Sequence, residues 1–475
     1  MKKGEILTVE VERFADQGKA LARVEGRVVF FTGAAPGDLA EIMVTKVKKS
    51  FAEARLKRIV QPSDLRVAPR CPYFGVCGGC KWQHVRYEAQ TEAKRESVED
   101  ALVHHGGFSA AQARPTMGME TPWYYRNKME FSFSNQRWLT DEDLKSELEF
   151  DRSFGFGLHV PGRFDKILDI ETCFLQSKQS EAIVNATRRF ARANDWAPWD
   201  TRNHVGFLRH LVIRQSHHMP DLMLNLVTNG YDETRMQAYA AMIQSEFPDV
   251  TTLVNTINTG LAQTAYGEEI ITILGSGKIY DKIGDLTFEV APNAFFQTNT
   301  AQAERLYEVT RAFGELKPDD LLYDLYCGAG TISLFCAPYV RHVVGVELVP
   351  EAIENARTNA ELNGLSNTTF LSGDLMRLFT PEFVQKHGRP DVLIVDPPRA
   401  GMHPKVVEQI AQLRPERFVY VSCNPMTQAR DLKLLADIYD IEAVQPVDMF
   451  PHTHHIESVV KLRLRTAIPN PTPSV

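Results

Sequence analysis

The sequence predicts three folded regions: a small N-terminal β-barrel, a central α+β region and a C-terminal α/β domain with a doubly wound, mostly parallel sheet. A chain of 475 residues has room for about three domains at roughly 150 residues each. In residues 1–61, apolar and polar residues alternate with a period of two in short stretches separated by Gly, Pro and Asp turns. This pattern is typical of a small barrel of the OB type. From residue 291, short apolar runs alternate with helical segments, as in doubly wound sheets. We therefore expect domains at 1–61, 62–290 and 291–475.

The composition is that of an ordinary globular protein, with 44% hydrophobic and 24% charged residues. No run of about 18 apolar residues predicts a membrane span, and no apolar segment before Glu10 resembles a secretory signal. We expect a cytoplasmic protein that acts as a monomer and does not bind membranes. The net charge of −7 excludes a uniformly basic protein but allows a local basic face that binds nucleic acid.

Such a face is predicted on the last strands of the N-terminal region. Phe51 lies there among six cations: Lys46, Lys48, Lys49, Arg55, Lys57 and Arg58. An aromatic ring between cations suits base stacking and phosphate contact, although a solvated strand face explains the charges equally well. Further along, the helix-forming stretch YEAQTEAKRESVEDALVHH predicts a helix, and the acidic tract 140–151 predicts an exposed loop or hairpin tip.

Three of the seven cysteines form the cluster Cys71-x5-Cys77-x2-Cys80, among glycines that allow sharp turns. Four soft ligands suit either tetrahedral zinc or an iron–sulfur cluster, and Cys173 is the one cysteine outside the C-terminal domain that could be the fourth. Zinc sites more often have two paired Cys-x2-Cys knuckles, so the spacing favours a 4Fe-4S cluster without excluding zinc.

The stretch LLYDLYCGAGTISLFCA predicts a buried strand, a Gly-rich turn and a helix. Gly328 and Gly330 would let a ligand approach the backbone closely, and Glu347 ends the next strand, where it could hold ribose hydroxyls. Asp374 follows the third strand and could contact an adenine amino group. A third glycine and a phosphate-binding lysine are both missing, which disfavours NAD and ATP. The pattern favours a nucleoside without phosphates, S-adenosylmethionine.

Cys423 and Asp396 end the fifth and fourth strands of the predicted sheet, at the edge where ligands bind. A thiolate that adds to carbon 6 of uracil makes carbon 5 nucleophilic enough to accept a methyl group. A base must then remove the carbon-5 proton, and Glu457 is the candidate. The alternative bases are His452, His454 and His455. Asp396 could bind the imide edge of uracil, Arg399 could orient phosphate or base, and Gln297 could contact the cofactor or a uracil carbonyl.

Five stretches together resemble the RNA 5-methyluridine methyltransferase family: FFQTN, DLYCGAGTISL, VDPPRAG, VSCNPMTQARDL and PHTHHIESV. The N-terminal pattern resembles a TRAM domain, an RNA-binding barrel of the OB type. The resemblance implies a Rossmann-like class I S-adenosylmethionine methyltransferase domain with Cys423 as nucleophile and Glu457 as base. It implies cofactor contacts at Gln297, Tyr326, Glu347 and Asp396. From the predicted turn and strand ends we add Gly328, Gly330 and Asp374. We also add Thr331, although the family often has Asn at this position.

The same resemblance implies a 4Fe-4S cluster in the central domain on Cys71, Cys77, Cys80 and Cys173. Family members with both cluster and TRAM domain often modify large-subunit ribosomal RNA, so the expected partner is 23S ribosomal RNA, with transfer RNA as the alternative. An RNA cytosine-5 methyltransferase would usually place Pro-Cys where this chain has Asp396-Pro397. An amino-group methyltransferase would not need Cys423 or Glu457. A non-catalytic RNA-binding or iron–sulfur module is the alternative outside the enzymes.

Overall fold

The computed structural model describes residues 1–108, 112–146 and 149–465, which form two compact units. The first unit contains Met1–Gln90, Met119–Ala301 and Phe450–His454. The second unit contains Thr91–Gly118, Gln302–Met449 and the described part of His455–Val475. The three domain boundaries expected from the sequence stay a prediction about independent folding.

The N-terminal part of the first unit is one six-stranded sheet in the order β1-β5-β6-β4-β3-β2. Its strands are β1 (Ile6–Glu10), β2 (Arg13–Phe14), β3 (Ala20–Val24), β4 (Arg27–Phe31), β5 (Leu39–Val47) and β6 (Phe51–Gln61). Alternate side chains of β5, such as Ala40, Ile42 and Val44, are fully buried in its apolar core. The period-two pattern of the sequence therefore corresponds to a sheet with one apolar face.

Helix α1 (Tyr87–Asp100) follows, extended by a wider turn over Ala101–His105, which confirms the helix predicted there. The rest of the first unit is an eight-stranded mixed sheet, in the order β14-β13-β12-β11-β7-β9-β10-β8, and a β15–β16 hairpin. The elements are β7 (Lys128–Ser134), β8 (Arg137–Trp138), α2 (Asp141–Lys145), β9 (Gly155–His159), β10 (Ile167–Asp169), α3 (Lys178–Ala193), β11 (Leu208–Gln215), β12 (Leu222–Thr228), α4 (Glu233–Glu246), β13 (Thr252–Ile257), β14 (Glu269–Leu274), β15 (Ile279–Ile283) and β16 (Leu286–Val290). Apolar side chains of α3 and α4, including Ile183 and Tyr239, pack into the core of this sheet.

The acidic tract is exposed, as expected, but part of it is helical rather than a loop. Thr140 caps α2 by accepting a hydrogen bond from the Asp143 amide at 3.1 Å, and the Asp143 carboxylate accepts from the Thr140 amide at 2.8 Å. This reciprocal capping box stabilises one helical turn, and the acids of that turn lie at its positive end. Residues 147–148 of the tract lie outside the described residues.

The second unit is a seven-stranded sheet in the order β19-β18-β17-β20-β21-β23-β22, parallel except for β23. Its elements are α5 (Thr300–Gly314, which begins in the first unit), β17 (Leu321–Leu325), α6 (Thr331–Cys336), β18 (His342–Glu347), α7 (Pro350–Leu362), β19 (Thr368–Ser372), α8 (Leu375–Leu378), α9 (Pro381–His387), β20 (Val392–Val395), α10 (Pro404–Leu413), β21 (Arg417–Ser422), α11 (Pro425–Lys433), β22 (Tyr439–Val447) and β23 (Glu457–Leu464). The doubly wound sheet predicted from residue 291 is thus present.

The second half of α1 belongs to this second unit. Val98 and Leu102 are buried in its core, and Lys94 forms a fully buried ion pair with Asp448 at 2.6 Å. Asp448 directly follows β22, the neighbour of β23. Helix α1, which is distant in the sequence, therefore stabilises the strand pair of β22 and β23, whose first residue is Glu457.

The carboxyl ends of the parallel strands place the candidate residues at one edge of the sheet. β17, β18, β20 and β21 run in the same direction, and the residues that follow them lead into the loops of that edge. β23 runs the other way, so its first residue, Glu457, lies at the edge where β21 ends; Ser458 pairs with Ser422. Among the described residues, no helix is long and apolar enough to cross a membrane.

Candidate active site

Cys423 lies in the turn between β21 and α11. The Ser422 hydroxyl accepts a hydrogen bond from the Asn424 amide at 3.1 Å, and the Asn424 side chain caps α11 by accepting from the Met426 amide at 3.2 Å. The Cys423 thiol is half-buried. Burial, and after it the charge of Glu457, raises the pKa of this thiol to about 12, while the Arg399 guanidinium opposes the increase. The thiol is therefore protonated at neutral pH before substrate binds.

The loop that follows β20 is fixed against α11. Asn424 Nδ2 donates to the Arg399 carbonyl at 3.0 Å, and Arg430 Nη2 donates to the next carbonyl of the same loop at 2.9 Å. Gly401 has φ +79°, and a Cβ there would lie 2.6 Å from both Arg430 Nη2 and Asp431 Oδ2. Only glycine fits this position, so Gly401 lets the loop that carries Asp396 and Arg399 approach the helix that follows Cys423.

Three acids lie in the interior around this loop. Burial is the main cause that raises the pKa of both Asp396 and Glu457. The charge of Asp324 raises the pKa of Asp396 further, and the charge of Asp396 raises the pKa of Glu457 further. Asp324, in β17, accepts a hydrogen bond from the Ser333 hydroxyl at 2.5 Å, and burial raises its pKa to about 7. A carboxyl group with a raised pKa close to a thiol is a common arrangement for proton transfer.

The three histidines of the PHTHHIESV stretch do not all belong to the same unit. His452 and His454 belong to the first unit, where the His452 ring stacks on Trp123 at 3.9 Å between centroids and its carbonyl accepts from the Lys81 amide at 2.9 Å. These contacts give His452 a structural role. His455 belongs to the second unit, and its Nδ1 lies 3.1 Å from Arg399 Nη1.

The Gly-rich turn after β17 has the conformation that the sequence indicated. Tyr326, Gly328 and Gly330 all have positive φ values, of 66°, 54° and 75°. A Cβ at Gly330 would lie 2.9 Å from the Ala356 Cβ, whereas a Cβ at Gly328 would meet no atom within 4 Å. Gly330 is thus required for packing, and Gly328 leaves open space for a ligand beside the backbone.

Glu347 is held at the end of β18 by backbone donors. Its carboxylate accepts from the Gly328 amide at 3.2 Å and from the Leu348 and Val349 amides at 2.7 and 3.0 Å. Leu348 and Val349 are 64% and 47% exposed although both are apolar. A fixed carboxylate beside exposed apolar side chains suits ribose hydroxyls and the face of an adenine ring. The sequence analysis missed Leu348 and Val349, although their position directly after Glu347 was a usable signal.

The remaining predicted cofactor residues have other contacts as well. Thr331 begins α6, and its hydroxyl lies 2.9 Å from the hydroxyl of buried Tyr307. Asp374 caps α8 by accepting from the Met376 amide at 2.9 Å. Gln297 lies in the first unit, where its carbonyl accepts from Asn127 Nδ2 at 2.9 Å. Tyr307 had no signal in the sequence, because its contact with Thr331 depends on helix packing. The cofactor role of all three predicted residues stays a prediction.

The four predicted ligand cysteines all line one cavity of the first unit, with a volume of about 860 Å³. Cys71, Cys77 and Cys80 reach it from the glycine-rich loop, and Cys173 from the segment after β10. They are close enough that the charge of Cys173 raises the pKa of each of the other three thiols, after the larger effect of burial. Within the described ranges, no group of three or more His, Cys, Asp and Glu side chains is placed to hold a metal ion.

The cations of the predicted basic face lie on β5, on β6 and in the turn between them. All six of its cations are exposed: Lys46, Lys48, Lys49, Arg55, Lys57 and Arg58. Arg58 forms an ion pair with Glu41 at 3.1 Å. Phe51 is half-buried and packs edge-on against Phe30, with 5.8 Å between ring centroids. The cations can therefore contact phosphates, whereas Phe51 is engaged in packing.

The fold and this edge of the sheet define a class of protein. Seven strands in this order with one antiparallel strand, a Gly-rich turn after the central strand β17 and a carboxylate at the end of β18 form a class I S-adenosylmethionine-dependent methyltransferase domain.

Comparison with known proteins specifies the family. The family model described as tRNA (Uracil-5-)-methyltransferase matches residues 276–465, and the TRAM domain model matches residues 1–57. An uncharacterized RNA methyltransferase of Bacteroides thetaiotaomicron is 43% identical over 454 residues, covering 95% of this chain and 100% of the relative. One of Porphyromonas gingivalis is 44% identical, covering 96% of this chain and 99% of the relative.

A solved structure agrees with this assignment. The Pyrococcus abyssi tRNA (uracil-54, C5)-methyltransferase, in complex with S-adenosyl-L-homocysteine, is 28% identical with a TM-score of 0.74, covering 96% of this chain and 100% of that one. The chain belongs to the RNA (uracil-5-)methyltransferase family and is an enzyme with an N-terminal TRAM domain.

Proposed function

We propose that this enzyme methylates carbon 5 of a specific uridine in 23S ribosomal RNA, with Cys423 as nucleophile and Glu457 as base. The observation that carries the proposal is the register of β21 and β23: Cys423 follows Ser422 and Glu457 precedes Ser458, and these two serines pair, so both residues lie at one edge of the sheet. S-adenosylmethionine supplies an electrophilic methyl group when bound. Glu347, Leu348 and the Gly328 backbone are the residues that would hold its nucleoside.

In the proposed reaction, the Cys423 thiol loses its proton to water, the thiolate sulfur forms a bond to carbon 6 of the uracil, and the ring electrons shift to carbon 5 and the carbonyl oxygen. Carbon 5 then forms a bond to the methyl group, whose bond to the sulfonium sulfur breaks and leaves a neutral thioether. Glu457 removes the remaining carbon-5 proton, the carbon 5–carbon 6 double bond re-forms, and the bond between sulfur and carbon 6 breaks. Arg399 favours the thiolate at the first step because its charge lowers the pKa of Cys423.

The choice of ribosomal RNA rests on the combination of a TRAM domain with four convergent cysteines. A second candidate is transfer RNA, which one observation favours: the similar Pyrococcus abyssi enzyme is a tRNA (uracil-54, C5)-methyltransferase. Methylation of total RNA from cells lacking the enzyme, followed by mapping of the labelled uridine, separates the two. An RNA substrate also supports a cytoplasmic location, and action as a monomer stays a prediction.

A covalent trap tests the chemistry. RNA containing 5-fluorouridine has no carbon-5 proton to remove, so methylation should leave the protein linked to RNA through Cys423. We expect an adduct that survives denaturing electrophoresis for the native enzyme and no adduct for Cys423→Ala. Cys336→Ala is the matched control, because Cys336 is buried at the end of α6 and should leave the adduct unchanged. Absence of an adduct with the native enzyme and RNA that it methylates would rule out the mechanism.

We further propose that Cys71, Cys77, Cys80 and Cys173 hold a 4Fe-4S cluster. The donor set fits, since four thiols line a single cavity. Zinc sites more often have two paired Cys-x2-Cys knuckles, whereas three clustered cysteines with a distant fourth favour a four-iron cluster. A four-iron cluster is larger and takes its four thiolates from around its surface. When bound, the cluster would cross-link the cysteine loop to the segment after β10.

The nature of the metal can be measured directly. Protein purified without air should be brown and contain about four irons per chain, and Cys173→Ser should lower the iron content while leaving the zinc content unchanged. Colourless protein with one zinc per chain would show that the cluster assignment is wrong. Cys336→Ser is a suitable control because Cys336 is buried in the second unit.

A further inference from the structure

The eight-stranded sheet of the first unit has one apolar face, and its opposite face is mixed, with buried Val212 and Val227 beside charged side chains. Met129, Phe131 and Phe133 of β7 point into the core under α3 and α4. The alternate residues Lys128, Glu130 and Ser132 therefore point to the opposite face. β11 pairs with β7 so that Arg214 lies directly opposite Lys128, and His210 lies opposite Ser132. Two like charges directly opposed on neighbouring strands destabilise a sheet, so this pair needs a compensating partner.

The charge of Glu130 acts on both cations and compensates them in part. Arg214 is only 5% exposed; its Nη2 donates to the Ala294 carbonyl at 2.5 Å, but its buried Nε has no hydrogen-bond partner among the described residues. Lys128 is half-buried, and within the described ranges its ammonium has no hydrogen bond or ion pair. Burial, followed by the charge of Arg214, lowers the pKa of Lys128 to about 8. His210 Nδ1 lies 3.7 Å from the Glu130 carboxylate, but burial lowers the pKa of His210 to about 3, so this imidazole is neutral at neutral pH.

Further donors lie on this face. Arg126 lies on the same side of β7, and its Nε donates to the Lys128 carbonyl at 3.1 Å. The Ser132 hydroxyl lies 3.1 Å from His210 Nδ1 and 3.2 Å from Nε2 of the exposed residue His159. The Ser132 hydroxyl is four residues from Lys128 along β7, roughly 13 Å away, so it belongs to a separate group. Beside Lys128 and Arg214 the face carries an excess of positive charge and an orphaned guanidinium donor, which match the oxygens of a phosphate.

We propose that Lys128 and Arg214 form an anion site that binds a phosphodiester of the RNA substrate. The inference rests on the proposed function, since it names a part of the RNA-binding surface. A bound phosphate compensates the opposed charges and gives the Arg214 Nε a partner. Phosphate contacts of this kind fix the position of an RNA without reading its sequence.

The test is the affinity of Lys128→Gln for RNA at several salt concentrations, measured by fluorescence anisotropy. Loss of one phosphate contact to single-stranded RNA should lower the slope of log Kd against log salt by about 0.7 and weaken binding about fivefold at 0.1 M salt. Lys128→Arg keeps the charge and should bind within about twofold of the native enzyme. Lys178→Gln is the matched control, because Lys178 is exposed at the start of α3, on the other side of the sheet.

Glu130→Gln gives a change of opposite sign. Removing the acid of this face should tighten RNA binding by at least about twofold. Thermal unfolding checks folding: Lys128→Gln should be at least as stable as the native enzyme, since it relieves the like-charge pair. Affinity and salt slope of Lys128→Gln that equal those of Lys178→Gln would overturn the anion site.

The covalent trap separates this inference from the proposed function. If Lys128→Gln binds like the native enzyme while the native enzyme forms the Cys423 adduct, the anion site is wrong and the function stands. If the native enzyme binds RNA with the expected dependence on Lys128 but never forms the adduct, the anion site stands and the mechanism is wrong. Lys128→Gln should still form the adduct when its higher Kd is overcome by saturating RNA.

Discussion

Replacement of Glu457 by glutamine separates methyl transfer from proton removal. Glu457 is 5% exposed and pairs with Val447 through the backbone, so the isosteric substitution should keep the strand in place. Loss of a positioned general base lowers turnover roughly 10²–10⁴-fold, which corresponds to about 3–5 kcal/mol in the activation barrier. The earlier steps, thiol addition and methyl transfer, do not need this base. The variant should therefore accumulate a covalent, methylated adduct on ordinary uridine RNA.

The assay uses S-adenosylmethionine with a tritiated methyl group and an unmodified RNA. Glu457→Gln should give a labelled protein–RNA band under denaturing conditions, close to one methyl per protein, with little free methylated RNA. Cys423→Ala should give no labelled band. Multiple turnovers by Glu457→Gln within tenfold of the native rate would show that another group removes the proton.

The pH dependence of stability provides an independent check on the same residue. Burial raises the pKa of Glu457 in the folded protein, so its protonated form is favoured there. The stability that this carboxyl contributes is complete below its ordinary pKa of about 4.5 and is lost as pH rises through the raised value. Glu457→Gln lacks this loss, and its Tm relative to the native enzyme should increase between pH 5 and pH 8. A constant difference in Tm would contradict the raised pKa.

Three further substitutions test the framework of the site. Gly401→Ala places a Cβ 2.6 Å from Asp431 at a positive φ, so it should cost at least about 1–2 kcal/mol and lower activity; native stability by urea unfolding would contradict this. Lys94→Met removes the cation of the buried ion pair with Asp448 and should cost about 3–5 kcal/mol, most of which the double variant with Asp448→Leu should recover. Asp324→Asn removes a carboxyl group whose pKa is raised to about 7. The free energy of unfolding of this variant, measured by thermal unfolding, should therefore increase by up to about 4 kcal/mol relative to that of the native enzyme as pH rises from 4 to 8. An unchanged difference between the two proteins would refute the raised pKa.

The parts of the site that could be predicted follow from local rules. Cys423, Asp396 and Glu347 each follow or end an apolar run, and parallel strands bring their carboxyl ends to one edge. Gly328 and Gly330 could be recognised because a turn between strand and helix needs positive φ values. The alternation of apolar runs with helical segments was therefore sufficient to predict a doubly wound sheet, and the roles of the residues at its strand ends stay predictions.

The contacts that could not be predicted join segments far apart in the sequence. The pair of Lys94 and Asp448 spans 354 residues, and the pair of Arg214 and Lys128 depends on the register of two strands that are not consecutive. Nothing in the period of a helix or strand reveals which distant partner it meets. The N-capping of α2 by Thr140 is different: its signal was local, since Thr140 precedes a run of acids, but the density of charge favoured a loop interpretation.

The electrostatics of the resting site determine when the nucleophile can form. The pKa of the Cys423 thiol is about 12 and burial raises the pKa of Glu457, so the two groups that the reaction needs as anions are both disfavoured as anions. Arg399 is the cation that acts on both of them, and it belongs to the loop that Gly401 and Asn424 hold against α11. Thiolate formation therefore depends on the position of that loop and on charge that arrives with the substrates. A protonated resting thiol also reacts slowly with other electrophiles, because the thiolate is the reactive form. The burial that raises the pKa of Cys423 thus also keeps the resting thiol in its less reactive form.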